Sequence, residues 1–220
     1  MRLIKWLIII LFLTGCIEID RCSKLDQQNI RDDCYFERAI ETNNYRLCDR
    51  IKLSTLKWSC KSKIAISKQD LSKCYELQSS KDYCLEKIAE IKNNLTICRD
   101  ISTQYWHDLC YKKFGIKTNN PKLCFEIYNI EDIDECLKEI ALSTKNESLC
   151  YEMYLPKNKI YCFVNISIAK MDEKVCKGIK NDILRYGICV TKVAKLKNDS
   201  SICKKIPLTK IRDICLEKLS

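Results

Sequence analysis

Apolar residues recur along this chain in a fixed register to cysteine. Cys22, Cys48, Cys74, Cys98, Cys124, Cys150, Cys176 and Cys203 form one class, A. Three residues after each stands Leu25, Ile51, Leu77, Ile101, Ile127, Met153, Ile179 or Ile206. In a helix that spacing places the apolar side chain on the cysteine's own face. Cys34, Cys60, Cys84, Cys110, Cys136, Cys162, Cys189 and Cys215 form a second class, B. Four residues after them come Ile64, Ile88, Phe114, Ile140, Ile166, Val193 and Leu219, with Arg38 the one exception. The next position is always small: Ala39, Ala65, Ala89, Gly115, Ala141, Ser167, Ala194 and Ser220. A small side chain at every repeat predicts a neighbouring helix passing close over that point.

Polar positions repeat as strictly. Asn44, Asp70, Asn94, Asn120, Asn146, Asp172 and Asp199 each precede an A cysteine by four residues. Asn and Asp are favoured helix N-caps because their side-chain oxygen accepts an otherwise orphaned backbone N–H. Pro121 follows one of these caps, at the first helical position, where its missing N–H costs nothing. The unit Asn120 to Ala141 therefore reads as a short helix A, a turn, and a helix B ending at Ile140 and Ala141. Helix A has room for about two turns and helix B for about three. Every B-to-A step is 14 residues, and the A-to-B steps run from 10 to 13. The period of about 26 lies in the range of solenoid repeats. The expected fold is all-α: a right-handed α-solenoid of about eight short helical hairpins.

Composition changes the picture at one point. Cysteine supplies 17 of 220 residues, close to the level of a disulfide scaffold. Such a density fits an oxidising compartment. With only 4 Gly and 3 Pro, an all-β protein rich in tight turns is excluded. The two cysteine classes allow two adjacent pairings. Parity favours A with the following B, which uses all sixteen repeat cysteines, whereas the other choice strands Cys22 and Cys215. The expected bonds are Cys22–Cys34, Cys48–Cys60, Cys74–Cys84, Cys98–Cys110, Cys124–Cys136, Cys150–Cys162, Cys176–Cys189 and Cys203–Cys215. The constant 14-residue step points mildly the other way, and is attributed to the fixed length of helix B. A hairpin of about 20 residues cannot hold itself together with a few Ile and Leu. Closing each loop contributes on the order of 3 kcal/mol in the chain-entropy model.

Other chemistry finds little support. Structural zinc sites bring two ligands within a few residues, whereas no two cysteines here are closer than six. No C-x-x-C and no activated thiol exist, so neither a metal nor a cofactor is expected. His107, the only histidine, is expected to be exposed at the start of a helix B. Adjacent helical residues point about 100° apart, so it should not face Asp108. Glu131, Asp132, Asp134 and Glu135 suit the positive end of a helix dipole. Asn94, Asn146, Asn165 and Asn198 lie in N-x-[ST] sequons, two of them already explained as caps.

At the N-terminus Arg2 and Lys5 precede the apolar run Trp6 to Leu13, which is too short to span a bilayer as a helix. Leu13-Thr14-Gly15-Cys16 resembles the lipobox of a prokaryotic lipoprotein signal peptide. That resemblance implies cleavage of a signal peptide over residues 1–15 and acylation of Cys16, palmitate being one such chain. It also implies a lipid-anchored location outside the cytoplasm, on the cell membrane or outer membrane. Residues 16–220 would then be a single helical-repeat domain. The pattern N-x-x-[LIV]-C-x-x-I … C-x-x-x-I-A is similar to cysteine-bearing helical repeats of secreted or lipid-anchored bacterial and archaeal proteins, which carry no activity over. Tetratricopeptide arrays are only generally similar, since their 34-residue period and aromatic signature are absent.

Charge divides the chain. Residues 16–156 hold 22 basic and 23 acidic side chains, and residues 157–220 hold 15 and 6. The candidate contact residues are Lys174, Lys177, Lys180, Lys192, Lys195, Lys204 and Lys205. They suit an acidic protein, an anionic envelope polymer or lipid head groups. Nucleic acid is not expected, since no stacking motif accompanies the charge. The expected function is a scaffold that binds a protein or polymer at the cell envelope, and not an enzyme. The alternatives are an envelope enzyme with an unrecognised site and a purely structural spacer.

Overall fold

The computed structural model describes residues 20–219, and among them every regular element is helical. The B helices are α1 (Gln28–Glu41), α2 (Ser54–Lys68), α3 (Lys81–Lys92), α4 (Gln104–Thr118), α5 (Ile130–Thr144), α6 (Pro156–Lys170), α7 (Ile183–Lys197) and α8 (Thr209–Glu217). Each follows a short A segment, for example Tyr45–Cys48, Pro121–Glu126 or Ser200–Lys205, of α or 3-10 form. Hairpins 1 to 8 are numbered with their B helices. The chain divides into two compact units, Met1–Cys84 and Leu85–Ser220, at a point where the sequence has no linker.

Eight disulfides join each A cysteine to the following B cysteine, with Cα–Cα distances of 5.5 to 5.9 Å. Nearly all these cysteines are buried, Cys34 being partly so. In the second unit α4 packs on both the A segment and the B helix of hairpin 5. α5, α6 and α7 treat their successors alike. In the first unit α1 packs in the same way on the Tyr45–Cys48 segment and α2.

Helix B is longer than expected. α4 to α7 each run 15 residues, about four turns, and continue three residues past the small position. What ends them is a left-handed residue: Asn43, Gln69, Asn93, Asn119, Lys145, Met171 or Asn198, with φ near +50°. The residue after it donates its N–H to the carbonyl of the small residue at 2.9 to 3.0 Å, as in Asn44 to Ala39 and Asn146 to Ala141. This is the bonding of a Schellman cap. The same Asn or Asp then caps the next A segment. The Asn44, Asn120 and Asp199 side chains accept from the N–H groups of Arg46, Lys122 and Ser201. One residue thus closes one helix and opens the next, which explains why only Asn or Asp stands there.

The small position has a second role. A Cβ on Gly115 would lie 3.0 Å from Cys136 Sγ of the next hairpin. Ser167 Oγ lies 3.1 Å from Cys189 Sγ, again one hairpin on. The close neighbour expected over this stripe is therefore the following disulfide. Around it Ile140, Ile166 and Val193 are fully buried.

Candidate binding surface

Two residues before the B cysteine stands a buried carboxylate in several hairpins, a feature the sequence reading did not single out. Asp32 Oδ1 and Oδ2 accept from the backbone N–H groups of Lys52 and Leu53 at 2.9 and 2.8 Å. Asp108 does the same for Tyr128 and Asn129, both at 3.0 Å. Asp134 takes Tyr154 and Leu155 at 2.8 and 2.9 Å, and Asn158 Nδ2 at 3.1 Å. Each acid grips the turn between the two helices of the next hairpin. Burial pushes the Asp32 carboxyl up, but the Lys52 and Leu53 amides, Gln28 and Arg31 outweigh it and hold it below the ordinary range. Trp58, Ile160 and Gly187 replace the acid in hairpins 2, 6 and 7.

Beside the Asp134 and Asp32 grips the two B helices leave a groove. Between α5 and α6 it has a volume of about 600 Å³, floored by Asp134 and lined by Glu131, Glu135, Leu155, Lys157 and Asn158 among others. Between α1 and α2 the matching groove of about 430 Å³ is lined by Gln28, Asp32, Lys52, Leu53 and Leu56 among others. The groove is a repeated place in the fold whose lining changes from one hairpin to the next.

Charge pairing also changes along the second unit. In its earlier hairpins three lysines are tied down. Lys112 bonds Asp132 at 2.6 Å and Glu135 at 2.8 Å, and Lys113 bonds Glu86 at 2.7 Å and Glu90 at 2.6 Å. Lys170 bonds Glu147. Burial alone would lower the Lys112 ammonium, and its two carboxylates outweigh that and raise it. Six of the candidate lysines differ. Lys174, Lys177, Lys180, Lys192, Lys195 and Lys204 are exposed, and among the described residues none of them has an ion pair. Lys205 is exposed but engaged, 2.5 Å from Glu173. Its ammonium, bonded to Glu173, outweighs burial and pulls that carboxyl down to about 2.

His107 is not placed as expected. Its side chain is 13% exposed, and Nδ1 lies 3.3 Å from Asp108 Oδ1. The ring packs against Tyr111 and Tyr128 with centroids 4.6 and 4.9 Å away. The cause is the grip: Asp108 holds the Tyr128 amide, which brings the Tyr128 ring over His107. The nearby Cys110 is bonded to Cys98, so its sulfur is no free thiol.

Among the described residues no group of three His, Cys, Asp or Glu could hold a metal. Nor is any described helix long and apolar enough to cross a membrane. The expected acylation site Cys16 lies outside the described residues, as does the side chain of Ser220. No family model matches the sequence, and no curated protein or solved structure matches it.

Proposed function

We propose that this protein is a lipid-anchored scaffold outside the cytoplasm, built as a right-handed α-solenoid, that binds an acidic protein or anionic polymer at the cell envelope. The observation that carries the reading is the set of exposed lysines of hairpins 7 and 8 that no acid partners. Elsewhere in the second unit Lys112, Lys113 and Lys170 are held in ion pairs. Exposed lysines without one among the described residues, such as Lys117 and Lys145, are interspersed with acids, whereas residues 157–220 hold 15 basic and only 6 acidic side chains. Unpartnered cations concentrated at one end of an array raise the local potential and attract polyanions. The sixteen paired cysteines support an oxidising location, and the lipobox-like LTGC supports the anchor.

Two measurements test it. Intact mass of the N-terminal peptide should show acylated Cys16, and the Cys16→Ser chain should leave the detergent phase. Crosslinked envelopes should yield an acidic partner. Lys177→Glu with Lys204→Glu should weaken its capture about tenfold or more, since each lysine near an anionic surface contributes about 1 kcal/mol. Capture that is indifferent to these charges, or recovery of this chain alone, rules out the binding role. A Cys16 that is not acylated rules out the anchor.

A further inference from the structure

The positions that line the acidic groove between α5 and α6 carry the opposite chemistry in hairpins 7 and 8. At the register positions of Glu131 and Glu135 stand Leu184 and Ile188, and at those of Leu155 and Lys157 stand Leu208 and Lys210. The floor has changed as well. Gly187 takes the place of Asp134, and a Cβ on it would lie 2.9 Å from Ile211 and 3.2 Å from Ile206. No grip carboxylate fits there, and the two hairpins meet on aliphatic carbon instead.

Leu184, Ile188 and Leu208 are 50%, 42% and 39% exposed, and Leu196 further along α7 is 52% exposed. At 100° per residue Leu184, Ile188, Lys192 and Lys195 fall on one arc of α7. The opposite arc, with Cys189, Val190, Val193 and Ala194, is buried. α7 carries no acidic residue. Lys192, Lys195 and Lys210 are exposed and have no ion pair among the described residues, whereas Arg185 is bonded to Asp182.

We infer that this face, Leu184, Ile188 and Leu208 with Lys192, Lys195 and Lys210, docks on the surface of an anionic lipid bilayer. Aliphatic side chains interleaved with lysines suit a boundary where an apolar layer lies beneath a plane of negative charge. An anionic polymer would call on the lysines alone, whereas a bilayer also takes up the aliphatic side chains between them. Thr191, the hydroxyl beside this arc, is already bonded to the Gly187 carbonyl at 2.8 Å. The inference shares Lys192 and Lys195 with the proposed basic surface but does not depend on acylation of Cys16.

The test uses the full chain with Cys16→Ser, so that no acyl chain contributes, in co-sedimentation with vesicles of phosphatidylcholine alone or mixed with phosphatidylglycerol. The mixed vesicles should capture it at least tenfold better. Lys192→Glu with Lys195→Glu should lower that capture roughly tenfold or more, and high salt should erase the difference. Leu184→Ser with Ile188→Ser should lower it in low and high salt alike. These positions are exposed, so intact mass under non-reducing conditions should still show eight disulfides. The apolar residues 6–13 are common to all the variants and cancel in the comparison. Equal capture by both vesicle types, or variants that bind like their parent, overturns the inference. Capture by a soluble anionic polymer in place of vesicles also overturns it and returns the face to the polymer reading. An unacylated Cys16 in the wild-type chain would remove the anchor and leave this result standing.

Discussion

The grip of one hairpin on the next should be measurable at Asp134, which is fully buried and accepts three hydrogen bonds. Asp134→Ala strands the N–H groups of Tyr154 and Leu155 at the floor of the groove. Losing a bond to a charged group costs about 1.5–3 kcal/mol when the donor stays buried. The groove admits water, so the lower end applies to each amide, and Asn158 can turn to solvent at little cost. The expected loss is about 3 kcal/mol. Asp134→Asn keeps one acceptor oxygen and sets an amide donor against the second N–H, for about half that loss.

Urea unfolding with disulfides intact gives the global value as a fall in midpoint at constant slope. A repeat array can open locally, so amide exchange at Tyr154 and Leu155 is the sharper assay. A local loss of about 3 kcal/mol should speed their exchange roughly 100-fold. Glu135→Ala, one residue along and paired only with Lys112, should cost under about 1 kcal/mol and leave those amides unchanged. If Asp134→Ala behaves like Glu135→Ala, the buried carboxylate is incidental to how the hairpins hold together.

Two glycines of the second unit should respond in opposite ways. Gly115→Ala should be neutral or stabilise by up to about 1 kcal/mol, from helix propensity, because the equivalent residue is Ala in most repeats. Gly178→Ala should destabilise by about 1–3 kcal/mol, since its Cβ would fall 2.3 Å from the Phe163 ring; thermal melts that rank the two the other way contradict the packing described. Met171→Gly should stabilise by about 1 kcal/mol in the same assay, because Met171 is exposed with φ +50° and an L side chain there is strained. The Glu173 carboxyl lies near 2 in the folded chain against 4.5 as the ordinary value. Its contribution is therefore complete above about 4.5 and lost as pH falls towards 2. Glu173→Gln should melt below the wild type at pH 7 and together with it near pH 2. A gap that survives at pH 2 rules out the Lys205 pairing as its source.

Features that depend on local spacing or parity could be read from the sequence. Asn120 is a cap whatever surrounds it, and sixteen cysteines in two alternating classes leave one adjacent pairing that uses all of them. Features that depend on the next hairpin were harder to read. Asp32, Asp82, Asp108, Asp134 and Asp213 share one register position, a signal that aligning the repeats would have exposed. An acid early in helix B is already explained by the helix dipole, so its reach across 20 residues to the next turn does not show. The left-handed residues left a trace in the dipeptides Asn43-Asn44, Asn93-Asn94, Asn119-Asn120 and Asn198-Asp199. Gln69, Lys145 and Met171 in the same place hid it. Helix B was read as too short for the same reason, because no glycine marks its end. Counting lysines found the basic end, but the aliphatic side chains between them acquire meaning only once burial shows that they face outward.

The way the repeats are held together also accounts for where variety is allowed. A disulfide inside every hairpin supplies on the order of 3 kcal/mol per unit in the chain-entropy model, so no hairpin relies on its outer face for stability. The small residue, the sulfur it touches and the shared Asn or Asp then fix how one hairpin meets the next. The outer lining of the groove is left freer to vary. Its positions are acidic between α5 and α6, and leucine, isoleucine and lysine at the same register of hairpins 7 and 8. Hairpin 7 also discards the grip carboxylate, with Gly187 at the position of Asp134, and Ile211 of hairpin 8 stands at that of Asn158. Five large aliphatics, Ile183, Leu184, Ile188, Leu196 and Leu208, are left exposed there. The outward face of hairpins 7 and 8 is therefore where the proposed contact departs furthest from what holding the hairpins together requires.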